Sequence, residues 1–531
     1  MAKSQLGPRL LAWTFILSVL AALSYYSLGN YDHNDHMYAV APVIAQHLRA
    51  YTDFGFVQTP LSLLIFAELY RIVDPTNFYL SLRLFSLALQ LAIIGLGIRF
   101  CFRQAQRRVL ASLLFTSLYV SFEPADMIGA EIGNYTLALC LTALALTILD
   151  AFRGRSFTPL AVGVLAGLSF SAKLSYIYVV AAFALIYMFR ERTPRHWFTR
   201  TAAYGLGVLI GVSPILYYLF TGFDRFLFEN VYFHYLSNLY RGDAPFPGLA
   251  NLAIFSAGSA VVPLAELFGV CLLVYLLARL AAWAWPATLR IAMPLTDLEV
   301  DILCVAAATI VGAVTPVIVF AQYLAGPAFS LFLFFTLYFD RLLASGRWSP
   351  AWRARSGVGL VAMAMALAAW RVYGLSLETA KLQHDGVYGI TAVARTREAI
   401  AGVIARIDRA HPNCHGNLVT AFGVPAIGAG IDFVPISSTG SFAMRLDDIF
   451  VRRAPAYRWM TDPSRYLTNR TLILSGLYSD KLIEPKSPFE NVMDDYAASH
   501  DFQTIALGRF IYRPIYLYVP PACRISLNRP T

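Results

Sequence analysis

The chain has 531 residues, of which 58% are hydrophobic and only 14% charged, yet its formal net charge is +10. Soluble globular proteins hold about 45–50% apolar and about 25% charged residues, so this composition excludes an ordinary soluble enzyme, a disordered tail and a small disulfide scaffold. Six cysteines are too few for a disulfide framework, and the basic surplus reads as the base-rich loops of a polytopic membrane protein, not as a nucleic-acid surface.

Apolar runs predict about eleven spanning helices, near 8–28, 78–101, 108–122, 134–151, 158–172, 174–190, 201–221, 260–283, 302–321, 323–340 and 356–374. Several fall short of the ~20 residues of a normal span, so they are either tucked inside the bundle or longer than their apolar runs. The first is read as an uncleaved anchor. Alternate loops divide the Lys and Arg residues eighteen to six, which places the N-terminus inside. An odd number of spans then puts everything beyond the last helix outside. The expected fold is a polytopic α-helical membrane protein with a C-terminal extracytoplasmic α/β domain, divided into residues 1–374 and 375–531. The bias toward arginine over lysine favours a bacterial inner membrane, with the active site and the last domain on the periplasmic side.

Unusual chemistry gathers in the outer loops. The first, 29–77, holds Asp32, His33, Asp35, His36 and Tyr38 where the first helix leaves the membrane. Carboxylates beside an apolar interface suit general-base work, because desolvation raises their pKa toward working pH. The plainer alternative is a solvated loop with aromatic anchors. An amphipathic stretch from Tyr38 to Tyr51 follows, and Pro60 opens a short helix expected to lie along the outer surface, with Arg71 and Asp74 outside. The next outer loop carries Glu123, Asp126 and Glu131 and no base; Glu131 is expected to point inward. Before residue 375 the only lysines are Lys3 and Lys173. Lys173 sits in a hairpin on the base-poor side, either snorkelling or placed to meet a phosphate. In 222–250, Arg225, His234 and Arg241 are candidates for phosphate or sugar contacts within an aromatic belt. Glu266 is expected to line a cavity, and Gln322–Phe329 breaks the helical run at the outer face.

Beyond the last span, Thr391–Ala410 has an amphipathic period, with Ile400, Val403, Ile404 and Ile407 on one stripe. Strands are expected at Leu418–Ala421, Phe433–Ile436, Leu472–Leu474 and Phe510–Val519. Cys414 and Cys523 are either a disulfide or two buried thiols. Walker A, GxSxG, HExxH and CxxC patterns do not occur, nor does a GxGxxG after a strand.

Four segments resemble motifs of the integral-membrane GT-C glycosyltransferases, the group that includes protein mannosyltransferases and aminoarabinose transferases of lipid A. Asn34-Asp35-His36-Met37-Tyr38 is similar to their Asp-Glu-x-x-Tyr, and Gln58-Thr59-Pro60-Leu61 to their Pro-Pro-Leu. Gly163 to Lys173 resembles Gly-x-x-x-Gly-Leu-x-x-x-x-Lys, and Tyr323 to Pro327 resembles the end of Arg-Tyr-x-x-x-Pro, with Gln322 in place of the arginine. With Tyr38 setting the register, the family's aspartate falls on Asn34, which leaves Asp35 first and Asp32 second as the base. The resemblance implies transfer of a sugar from a polyprenyl-phosphate donor to a lipid, glycan or protein acceptor, with inversion. It implies Lys173 at the donor phosphate, where the reading of 222–250 adds Arg225 and Arg241. Glu131, Asp126, His36, Tyr38, Gln58, His234 and Tyr323 would meet substrate, with the acids acting directly or through a divalent metal. A transporter or lipid flippase is the alternative from another class, and a polysaccharide polymerase or ligase is a third reading.

Overall fold

A computed structural model of the chain describes residues 6–31, 35–190, 194–233, 295–314, 321–345, 349–384, 389–412, 414, 416–439, 466–476, 488–510 and 513–526. The chain is an α-helical membrane protein. Its helices are α1 (Leu6–Gly29), α2 (Asp35–Ile44), α3 (Pro60–Ile72), α4 (Phe78–Gln104), α5 (Arg108–Val120), α6 (Glu123–Ala130), α7 (Asn134–Ala151), α8 (Thr158–Ala172), α9 (Ile177–Arg190), α10 (Pro194–Gly211), α11 (Ser213–Thr221), α12 (Phe223–Leu227), α13 (Asp297–Val314), α14 (Ala325–Ala344), α15 (Pro350–His384), α16 (Gly389–Ala410) and α17 (Pro488–Ser499).

Ten of the eleven expected spans overlap described helices; the eleventh, 260–283, lies outside the described residues. Among those residues, five helices are long and apolar enough to cross a membrane, and α10 with α11 makes a sixth if the pair is one span bent by 55°. Pro214, in the first turn of α11, explains the bend. Three further apolar helices, Arg108–Val120, Thr158–Ala172 and Leu174–Met188, are shorter than a normal span.

Helices α8 and α10 approach at backbone distance. Gly163 and Gly167 face Gly207 and Gly211; a Cβ on Gly207 would lie 2.2 Å from the Leu160 carbonyl oxygen, and one on Gly211 2.3 Å from that of Val164. Small residues at one helix spacing permit this contact. It also anchors the end of α8 that carries Lys173, where Ser171 Oγ donates to the Gly211 carbonyl at 2.9 Å. Gly211→Val is therefore expected to cost more than the usual ~1–3 kcal/mol of overpacking, since backbone atoms cannot step aside. Gly205→Ala, with nothing within 4 Å, is the control. Thermal melting of the detergent-purified proteins checks both.

The stripe expected on 391–410 is found on α16, where Ile400, Val403, Ile404 and Ile407 are buried. Strands β1 (Leu418–Val419), β2 (Leu472–Ser475), β3 (Gln503–Phe510) and β4 (Arg513–Val519) form one sheet in the order β1-β2-β4-β3. β1 and β2 are parallel and the other pairings antiparallel. The run read as one strand, Phe510–Val519, instead contributes the end of β3 and all of β4. Phe433–Ile436 makes a single bridge, Phe433 to Leu418, not a strand. Cys414 and Cys523 are joined by a disulfide, with their Cα atoms 5.7 Å apart. One hydrophobic core lies within the bundle, around Ile93, Phe115, Tyr119 and Phe329. A second unites the first loop with the sheet, from Met37, Val40 and Phe56 to Leu472 and Leu517. For that reason α2 is buried on almost every side, although it opens the stretch read as amphipathic.

Candidate active site

The acidic first loop is built around a buried ion pair. Asp35, the first residue of α2, and Arg83, on α4, are both fully buried and 3.3 Å apart. Asp35 Oδ2 also accepts from the Tyr79 hydroxyl at 2.8 Å, and Oδ1 accepts from the Ile132 amide at 2.6 Å. Arg83 in turn donates to the carbonyls of Ser27, Asn30 and Ala130. One carboxylate and one guanidinium thus pin the end of α1, the start of α2, the first turns of α4 and the segment after α6. A charge inside an apolar helix is costly unless paired, and this pairing dictates where residues 130–132 sit.

Those residues present Glu131 to a second cluster. Lys173 caps α8 in an extended conformation, half-buried. Its Nζ lies 3.9 Å from the centre of the Tyr135 ring and 5.3 Å from that of Tyr323. The two rings stack with centroids 4.8 Å apart. Such aromatic faces hold a cation without neutralising it. Burial pushes the Lys173 ammonium down to about 7, with the Glu131 charge opposing the shift. Tyr38 is buried within the electrostatic reach of both Glu131 and Tyr323. Gln58 accepts from the Asn134 amide at 3.0 Å, and next to it Thr59 Oγ1 donates to the Ala172 carbonyl at 2.5 Å. Pro60 at the first turn of α3 removes a donor that would otherwise be left over. The Gln58-Thr59-Pro60 segment therefore ties the start of α7 to the end of α8. Five candidates from distant segments, Tyr38, Gln58, Glu131, Lys173 and Tyr323, share one neighbourhood.

Other candidates lie elsewhere. Asp126 is buried and bonded to Arg371 Nε of α15 at 2.8 Å; burial pushes its carboxyl up to about 7 against the pull of that guanidinium. His36 packs against Phe422 and accepts the Val424 amide at Nδ1, 3.2 Å away. That acceptor assigns the proton to Nε2, which bonds to the Tyr31 hydroxyl, and burial holds the ring pKa well below its ordinary value. His36 thus joins the first loop to the segment that follows β1. Arg225 donates to the Thr52 carbonyl, bracing the 49–54 turn. Asp32, His234, Arg241 and Glu266 lie outside the described residues. Among the described residues no three His, Cys, Asp or Glu side chains gather as metal ligands.

Sequence reading passed over Tyr79, Arg83, Asn134, Tyr135, Arg371 and Glu229. Arg83 carried a signal, as an arginine set among apolar residues sixteen positions before the next arginine of its helix. Glu229, in the π-helical turn Phe228–Tyr232, accepts the Phe56 amide at 2.8 Å, and burial pushes it up to about 8 from 4.5. A carboxyl raised on folding contributes most to stability below its unfolded pKa, and that contribution is lost as pH rises through about 8. Melting temperature is expected to fall between pH 6 and pH 9, and Glu229→Gln to flatten the decline.

No protein-family model matches the chain, and no curated protein matches it in sequence. Solved structures do match. ArnT from Cupriavidus metallidurans bound to undecaprenyl phosphate is 13% identical, with a TM-score of 0.56 over 98% of this chain and 100% of that one. The apo state of the same protein gives 12% and 0.55, over 99% and 100%. The chain has the GT-C fold. The match runs the length of both chains, so the likeness takes in the C-terminal strands as well as the bundle. The oligosaccharyltransferase of Archaeoglobus fulgidus tethered with an acceptor peptide is a more distant likeness, 12% identical with a TM-score of 0.42 over 88% of this chain and 69% of that one.

Proposed function

We propose that the protein is a membrane glycosyltransferase that moves a sugar from a polyprenyl-phosphate donor to a lipid, glycan or protein acceptor at the outer face. The observation that carries this reading is Lys173, the isolated lysine of the bundle, held over Tyr135 and Tyr323 beside Glu131. The full-length likeness to a protein bound to undecaprenyl phosphate supports it. A phosphate arriving at Lys173 favours the ammonium form, which takes its proton from solvent and pairs with the phosphate charge. The acceptor hydroxyl loses its proton to a carboxylate, its oxygen bonds to the anomeric carbon, and the bond from that carbon to the phosphate oxygen breaks. Lys173 then balances the charge growing on the leaving phosphate. Attack opposite the leaving group inverts the anomeric centre. Glu131 orients the sugar or the acceptor.

For the base, Asp35 and Asp32 divide the work in this reading. Asp35 already accepts three hydrogen bonds, one from a guanidinium, so both its oxygens are engaged within the protein. We assign it to positioning and Asp32 to proton abstraction. Asp32→Asn is expected to abolish transfer with normal protein abundance; unchanged transfer would sink the assignment. A transporter has less support, since the buried acids Asp35, Asp126, Glu299 and Asp340 are engaged by arginines or backbone amides. Lipid analysis of a deletion strain tests the class: a polyprenyl-phosphate sugar should accumulate and disappear on complementation. An unchanged lipid profile would overturn the proposal.

A further inference from the structure

The opposite end of the bundle holds a cavity with no part in this chemistry. It measures about 360 Å³ and is lined by Arg107, Leu110, Leu343, Pro350, Arg353, Gly357 and Val358. Helix α14 starts just after Tyr323 and ends beside this cavity, so its 20 residues set the two sites roughly 30 Å apart. This is the base-rich end of the chain.

Two guanidinium nitrogens here, Arg107 Nη1 and Arg353 Nε, are buried without a hydrogen-bond partner among the described residues. Arg107 Nη2 donates to the Leu343 carbonyl at 3.2 Å. The nearby acid, Asp340, is already engaged: its oxygens accept the backbone amides of Gln106 and Arg107 at 2.7 and 3.1 Å. Unpartnered arginine nitrogens call for an acceptor with several oxygens. Helices α5 and α15 both begin at this cavity, at Arg108 and Pro350, and their positive ends favour an anion. The remaining wall is apolar, and it runs out through Val358, which is exposed on the outside of the bundle.

We infer that this cavity binds the phosphodiester headgroup of an anionic membrane phospholipid, with its acyl chains along Leu110, Leu343 and Val358. A phosphate meets the arginines, while the apolar exit distinguishes a lipid from free phosphate. The inference does not depend on the transferase reading.

The test is thermal melting of the detergent-purified full chain titrated with phosphatidylglycerol, phosphatidylcholine or inorganic phosphate. Phosphatidylglycerol is expected to raise the melting temperature saturably by several degrees. The Arg107→Gln/Arg353→Gln double variant should need at least tenfold more lipid, and the corresponding double Lys variant should retain part of the response. An equal response in the Gln variant, or no saturable response in the wild type, overturns the site. A shift with inorganic phosphate at the lipid's own concentration overturns the lipid assignment. Should the Gln variant fail to fold, Gly357→Leu serves instead. A Cβ there meets only side-chain ends, Leu343 Cδ1 at 3.2 Å and Leu110 Cδ2 at 3.7 Å, and the longer side chain fills the cavity. Loss of the response supports the site, and a full response overturns it.

Discussion

Replacing Lys173 by methionine is expected to reduce sugar transfer by about 10²–10³-fold, the usual cost of losing one group that stabilises transition-state charge. The fold should survive, because methionine retains the apolar stem against Tyr135 and Tyr323 and burying it removes a desolvation penalty. The pH dependence separates this role from a packing role. The free ammonium is pushed down to about 7, so above that pH the empty site is mostly neutral. Binding a phosphate then requires uptake of a proton. KM for the donor is therefore expected to rise as pH increases from 7 to 9, with kcat changing less. Lys173→Arg should flatten that rise even if it lowers the rate, since a guanidinium keeps its charge. Transfer assays in membrane vesicles across this range provide the check. Wild-type activity in Lys173→Met would remove the lysine from the mechanism.

The largest expected loss of stability follows from Asp35→Asn. That substitution takes one buried carboxylate away from the fully buried Arg83. Breaking one partner of a buried pair costs about 3–5 kcal/mol. Asp35→Asn should therefore yield little monodisperse protein on size exclusion. A double variant, Asp35→Asn with Arg83→Met, should recover part of it by removing the buried guanidinium as well. Asp32→Asn should behave as wild type in the same assay and fail only in transfer. A well-folded Asp35→Asn protein without activity would reverse the two assignments and make Asp35 the base.

Much of the candidate site was legible from minority charge in an apolar chain. Lys173 stood out because lysine is so scarce before residue 375, and Glu131 because it precedes an apolar helix without a base nearby. Asp126 and Arg225 carried the same kind of signal, yet they bind Arg371 and the Thr52 carbonyl, away from Lys173. A charge in an apolar segment announces that it has a partner; it does not say whether the partner is protein or substrate. Asp35 and Arg83 make the same point across 48 positions of sequence.

Local patterns were most reliable where a residue's neighbours along the chain decide its state. The apolar runs, the i, i+3, i+4 stripe of α16 and the proline that opens α3 are of this kind, and each defines its own element. They failed where a distant segment covers a face. The α2 stretch looks amphipathic alone and is buried because α3, α4 and the Phe422–Ala426 segment after β1 pack against it. The sequence by itself thus determined the membrane class, the helical layout and which residues are chemically out of place. Only the tertiary structure decided which of them meet. Helix periodicity is a property of nearest neighbours, whereas the pairings of Asp35 with Arg83 and Lys173 with Tyr323 are made between helices brought together by packing.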